Sequence, residues 1–158
     1  MSILETRRVT WLNEAACATT AAALAKGAPL REAIIELHGP LGAGKTTFVR
    51  HLLHALGVRG HVKSPTYAVM EPYELPGGAI WHFDFYRFND PQEWEDAGFR
   101  DVFASAGLKL VEWPEKATEL LPPADLRVHI DPRGDEAREV RFDACTPRGV
   151  ALLPSLRS

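Results

Sequence analysis

Eight consecutive residues, Gly39-Pro40-Leu41-Gly42-Ala43-Gly44-Lys45-Thr46, constrain this chain more than any other stretch, because they satisfy G-x-x-x-x-G-K-[ST]. Such a loop works in one setting. A strand must deliver it, glycines must let backbone amides curl around phosphate oxygens, and a helix must begin where it ends, turning free N–H groups and a positive dipole end toward the anion. The flanking sequence provides both neighbours. Residues 33–38 form a mostly apolar run bounded by Gly39 and Pro40, which predicts a strand near the middle of a sheet. From Lys45 onward Phe48, Val49, Leu52, Leu53 and Leu56 recur at helical spacing, and Gly57 is placed to cap the C-terminus. The plainer reading, a glycine-rich turn ahead of a helix, leaves the complete motif unexplained. In the motif's roles Lys45 reaches the β- and γ-phosphates of a nucleoside triphosphate, the backbone of Leu41, Gly42, Ala43, Gly44, Lys45 and Thr46 cradles them, and the Thr46 hydroxyl binds Mg²⁺. Thr47 either adds a hydroxyl near the α-phosphate or is an ordinary helix residue.

The remaining chain is read around this unit. An alanine-rich stretch over 15–25 predicts a helix, with Thr10 or Asn13 as N-cap and Gly27 with Pro29 as the stop, as the element ahead of the first core strand. Segments 67–75 and 79–88, rich in β-branched and aromatic residues, form a hairpin about Pro76-Gly77-Gly78. Asp90, Pro91 and Glu93 open a short helix to Ala97, closed by Gly98. A strand over 108–113 stops at Pro114 and a short helix covers 115–121. Segments 126–131 and 138–143 form a second hairpin around Pro132-Arg133-Gly134-Asp135. From Thr146 the chain carries no motif, and Leu152-Leu153-Pro154 reads as a fraying end. A chain of 158 residues suits one domain. The expectation is an α/β fold, a P-loop-NTPase-like mixed sheet flanked by helices in a single domain over 1–158.

Charge and cysteine usage exclude some functions. A net charge of -3 gives no basic field for autonomous RNA or DNA binding. Cys17 and Cys145 are far apart without C-x-x-C spacing, so they are expected as buried reduced thiols rather than a disulfide or zinc site. The N-terminus lacks an apolar signal-peptide core, and the chain lacks an apolar stretch of about 18 residues, so a cytoplasmic protein is expected.

A phosphate loop needs a carboxylate near the end of a neighbouring strand, to hold the cation or orient water. Asp84 and Glu112 are the candidates. Asp84 shares a strand face with His82 and Tyr86, and Glu112 ends a strand just before Trp113 and Pro114. The less favoured alternative for each is a solvated strand-end acid. The guanine-reading N-K-x-D is absent, and the D-x-x-G match from Asp131 to Gly134 falls in a hairpin turn. A P-loop small-molecule kinase is the alternative class, with Arg133, Arg138 and Arg141 as candidates for a lid; their alternation with Val140 and Phe142 fits an exposed strand better. His51 and His54 are three apart on a helix without an identifiable third ligand. Of the four tryptophans, Trp113 is the one expected near the site.

Four segments together resemble one family, the bacterial TsaE (YjeE) ATPases of tRNA threonylcarbamoyladenosine biosynthesis. They are Leu41-Gly42-Ala43-Gly44-Lys45-Thr46-Thr47-Phe48, Val62-Lys63-Ser64-Pro65-Thr66-Tyr67, His82-Phe83-Asp84-Phe85-Tyr86-Arg87 and Glu112-Trp113-Pro114-Glu115. Order and spacing match over about residues 10 to 131. Pro40 stands where the family usually has an acid, and Phe85 where leucine is common. The resemblance implies an enzyme that hydrolyses ATP to ADP and phosphate, stimulated by the partner proteins TsaD and TsaB, with tRNA reached only through that complex and the free chain a monomer. It also implies that Thr46 and Glu112 ligate Mg²⁺, that Asp84 activates water or holds the metal through water, and that Thr66 belongs to a switch-like segment on the γ-phosphate side.

Overall fold

A computed structural model describes residues 2–62, 65 and 69–156. Seven strands form one mixed sheet: β1 (Glu5–Trp11), β2 (Ile34–His38), β3 (Met70–Leu75), β4 (Gly78–Asp84), β5 (Leu108–Glu112), β6 (Leu126–Arg133) and β7 (Ala137–Ala144), in the order β1-β7-β6-β2-β5-β4-β3. β2 occupies the centre, parallel to both β5 and β6, and β4 is parallel to β5. The other three pairings are antiparallel. Central parallel strands are covered on both faces; Ile35 and Leu37 of β2 and Leu108 and Leu110 of β5 are fully buried, and the charged residues between them, Glu36 and Lys109, are buried as well.

Helix α1 (Glu14–Ala25) starts where Asn13 accepts a hydrogen bond from the Ala16 amide at 3.0 Å, and α2 (Lys45–Leu56) ends at Gly57, which takes φ 114°. The two pack together over one sheet face, burying Leu24, Phe48, Val49, Leu52 and Leu53. Beyond Asp90, whose carboxylate accepts from the Gln92 amide, the chain makes α3 (Pro91–Asp96) and then α4 (Phe99–Ala104). These cover a second, aromatic core of Phe83, Phe85, Phe88, Trp94, Phe99 and Phe103. The α/β class, the mixed sheet and the central position of the strand over 34–38 agree with the sequence reading.

Four elements differ from it. β1 precedes α1, so the helix is not the first element; the strand alternates Val9 and Trp11 inward with exposed neighbours and pairs along its length with β7. Gly98 at φ 72° closes α3 and at once opens α4. The expected helix over 115–121 is only a 3-10 turn over Pro114–Lys116. The C-terminal segment does not fray. Helix α5 (Pro147–Leu152), capped by the Thr146 hydroxyl, and the turn after it bury Leu152, Leu153 and Leu156. Apolar spacing alone was too short there to signal an element; the anchor is a polar one. Buried Asp125 accepts hydrogen bonds from the Ile34 amide at 2.8 Å and the Thr146 hydroxyl at 2.6 Å, tying the C-terminus to the central strand.

Gly149 marks how closely α5 sits on that anchor: a β-carbon there would lie 1.9 Å from the Asp125 carbonyl oxygen. Because backbone must move to accept it, Gly149→Ala is expected to cost about 3 kcal/mol, the upper end for overpacking, and to lower Tm by roughly 10 °C. Urea or thermal unfolding measures this, and unchanged stability would show that α5 is not seated as described.

Candidate functional site

The loop leaves β2 at His38 and turns on three glycines with positive φ, Gly39 at 153°, Gly42 at 81° and Gly44 at 107°. At Gly39 close approach adds to the conformational demand, since a β-carbon would lie 2.6 Å from the Ile130 carbonyl oxygen. Ala43 is fully buried; its amide donates to the Pro40 carbonyl at 3.0 Å and its carbonyl accepts from Arg138 Nε at 2.7 Å. The other half of the sheet therefore holds the middle of the loop. α2 begins directly after Gly44.

Lys45 is buried. Its ammonium donates to the Gly39 carbonyl at 2.5 Å and lies 3.4 Å from the centroid of the Trp113 ring. Burial lowers its pKa, against the opposing pull of Glu112, Glu115 and Asp84. A cation held by one carbonyl and one ring face is under-compensated, and a phosphate oxygen would be a stronger partner.

The carboxylates are placed by strand register. β4 and β5 run parallel with Asp84 directly opposite Glu112. Glu112 is 2% exposed and Asp84 5%, so neither is a solvated strand-end acid. The Thr46 hydroxyl lies 2.8 and 3.0 Å from the two oxygens of Glu112, and His82 Nε2 lies 2.6 Å from Oε2. Asp84 Oδ1 accepts from the Tyr86 amide at 2.9 Å. Tyr86 itself does not continue the strand face of His82 and Asp84, because β4 ends at Asp84; its exposed ring lies 4.9 Å from that of Trp113. Trp113 holds φ 56°, an uncommon conformation for a bulky residue, which turns the chain immediately after Glu112.

One cleft thus brings together Leu41, Gly42, Ala43, Gly44, Lys45, Thr46, Thr47, Asp84 and Glu112. Thr66 lies outside the described residues. A second cleft shares Ala43, Gly44 and Thr47 and continues over the loop between Trp11, Asn13 and Cys17 on one side and Asp135 and Arg138 on the other. Trp113 is therefore not the sole tryptophan at the site: Trp11 lines this cleft while its Nε1 donates to Thr20 at 2.9 Å and its ring stacks on Phe48. Arg138 was detectable from strand parity. It shares its face with Val140 and Phe142, which point to the core, whereas Arg141 points the other way, to Asp143. His51 and His54 bond Glu14 and the Gly60 carbonyl, and no cluster of three or more His, Cys, Asp or Glu among the described residues forms a protein-only metal cage. The hydroxyl and two carboxylates at the loop suit a hard cation of the Mg²⁺ kind, which binds one or two protein oxygens and takes the rest from phosphate and water.

Residues 12–140 match the family model described as "Threonylcarbamoyl adenosine biosynthesis protein TsaE". The chain belongs to the TsaE family. It is 47% identical over 120 residues to the tRNA threonylcarbamoyladenosine biosynthesis protein TsaE of Haemophilus influenzae, covering 76% of this chain and 75% of that protein. It is 37% identical over 123 residues to the protein of the same name from Bacillus subtilis, covering 78% and 77%. Its fold matches a crystal structure of Bacillus subtilis YdiB with a TM-score of 0.79 at 27% identity, over 98% of this chain and 95% of that one. That likeness extends past the matched segments to the C-terminal helix of this TsaE-family chain. Among the described residues no helix is long and apolar enough to cross a membrane.

Both described cysteines are buried and unpaired, as expected. Burial is the main cause that pushes the Cys17 thiol up to about 12, although it lines the second cleft. At pH 8 a thiol so raised is a thiolate on the order of 10³-fold less often than an ordinary cysteine. Iodoacetamide is therefore expected to leave Cys17 unlabelled in the folded protein and to label it on unfolding, as read by mass spectrometry; rapid labelling in the native state would contradict this environment.

Proposed function

We propose that this chain hydrolyses ATP to ADP and phosphate in tRNA threonylcarbamoyladenosine biosynthesis, acting with the partner proteins TsaD and TsaB and reaching tRNA only through them. The observation that carries the reading is the hydrogen-bonded contact of Thr46, the last residue of the phosphate-loop motif, with Glu112 at the end of β5. It joins a nucleotide-cradling loop to a buried carboxylate, the arrangement phosphoryl transfer requires.

In this reading the backbone from Leu41 to Thr46, with Thr47, surrounds the phosphates, and Lys45 exchanges the Gly39 carbonyl and Trp113 face for β- and γ-phosphate oxygens. Thr46 and Glu112 hold Mg²⁺, whose chemistry is to neutralise charge that develops on the phosphate oxygens. Asp84, oriented by the Tyr86 amide, accepts a proton from the attacking water or orients it. The second cleft, with Asn13 and Trp11 on its wall, takes the adenosine end. The net charge of -3 supports leaving tRNA contacts to the partners.

Phosphate release from ATP, measured with and without TsaD and TsaB, tests the reading. Turnover is expected to rise when both partners are present. Lys45→Ala should reduce it by more than about tenfold in a folded protein, and Asp84→Asn should lower turnover while nucleotide affinity stays close to wild type. No turnover under any of these conditions, or wild-type turnover in Lys45→Ala, would contradict the assignment.

A further inference from the structure

β4 carries one polar side chain that the proposed chemistry does not use. His82 is completely buried and stands between Ile80 and Asp84 on the strand face toward α2. It pairs with Leu110 while Asp84 pairs with Glu112, so the imidazole and the Glu112 carboxylate are diagonal neighbours on one face of a parallel pair. Nε2 lies 2.6 Å from Glu112 Oε2. A carboxylate only accepts hydrogen bonds, so Nε2 is the donor.

Two further observations separate this bond from ordinary packing. The Thr46 hydroxyl has a single proton, placed within reach of both Glu112 oxygens, and its lone pairs are what a cation would take. The His82 N–H therefore fixes the carboxylate independently of Thr46. On the other side of the ring, Nδ1 is buried without a hydrogen-bond partner among the described residues. Buried polar atoms are nearly always satisfied, and an apolar side chain of similar size would fill the space without leaving a bare nitrogen. Among the described residues the ring makes one bond, to Glu112.

We propose that His82 is a positioning residue that orients the Glu112 carboxylate toward the cation-binding edge of the phosphate loop. Partners that orient a ligand typically change metal affinity by about 10- to 100-fold when removed. The inference rests on the reading of Glu112 as a Mg²⁺ ligand, and its test keeps the two apart.

Calorimetric titration of the non-hydrolysable analogue AMP-PNP, in Mg²⁺ and again in EDTA, isolates the metal-dependent gain in affinity for the full chain. His82→Ala is expected to lose about tenfold of that gain with its affinity in EDTA unchanged, and His82→Gln, whose amide can donate from the same place, should recover most of the loss. If Glu112→Gln loses the gain but His82→Ala retains it, the positioning role alone is overturned. If Glu112→Gln also retains it, the metal role of Glu112 falls and this inference with it. A measurement on the wild-type protein needs no variant to fold: ¹⁵N NMR of the imidazole should show the proton on Nε2, and a ring protonated at Nδ1 alone would overturn the proposal.

Discussion

A carboxylate that is 2% exposed has lost most of its water, and the interior must replace it with donors or bear a cost of several kcal/mol. At Glu112 those donors are the Thr46 hydroxyl and the His82 imidazole. The donors come from the start of α2 and from β4 and the acceptor ends β5, so compensation of one charge fixes where loop, helix and sheet meet. The parallel register of β4 and β5 then places Asp84 beside the same point without any further device.

The loop is held from its other side as well. Gly39 lies against the Ile130 carbonyl of β6, and Arg138 of β7 grips the Ala43 carbonyl at 2.7 Å. Because β2 is central, both halves of the sheet reach the loop: β4 and β5 bring the carboxylates, β6 and β7 bring the backbone anchors. Lys45 is the exception to this rigidity. Its ammonium rests on a carbonyl and on the Trp113 ring, contacts that a phosphate can outcompete, while burial keeps it from being satisfied by water.

What could be read from the sequence follows from the range of the interactions involved. The strand before the loop, α2 and its glycine cap, and the Asp90 cap of α3 are local, and each is visible in adjacent residues. Asp84 and Glu112 could be named as candidates because motif chemistry demands a carboxylate at a strand end, yet their burial and pairing depend on register between strands whose paired residues lie 28 positions apart, which no local pattern encodes. β1 was missed because an edge strand needs little apolar sequence of its own when β7 supplies the ladder. The C-terminal helix was read as a fraying end because its anchor, Asp125, lies 21 residues upstream of its Thr146 partner. Arg138 had a local signal, its parity with Val140 and Phe142, but three arginines close together suggested a single role, whereas Arg133 ends β6 and β7 gives Arg138 and Arg141 opposite faces.

The contact of Thr46 with Glu112 implies that the two act as one unit at the junction of loop and sheet. A double-mutant cycle of Thr46→Val and Glu112→Gln, read as Mg²⁺-dependent AMP-PNP affinity by calorimetry, tests it most directly. Strong non-additivity is expected: the double variant should bind about as weakly as either single one, a coupling of at least about 1 kcal/mol. Additive losses, with each residue contributing independently, would contradict it.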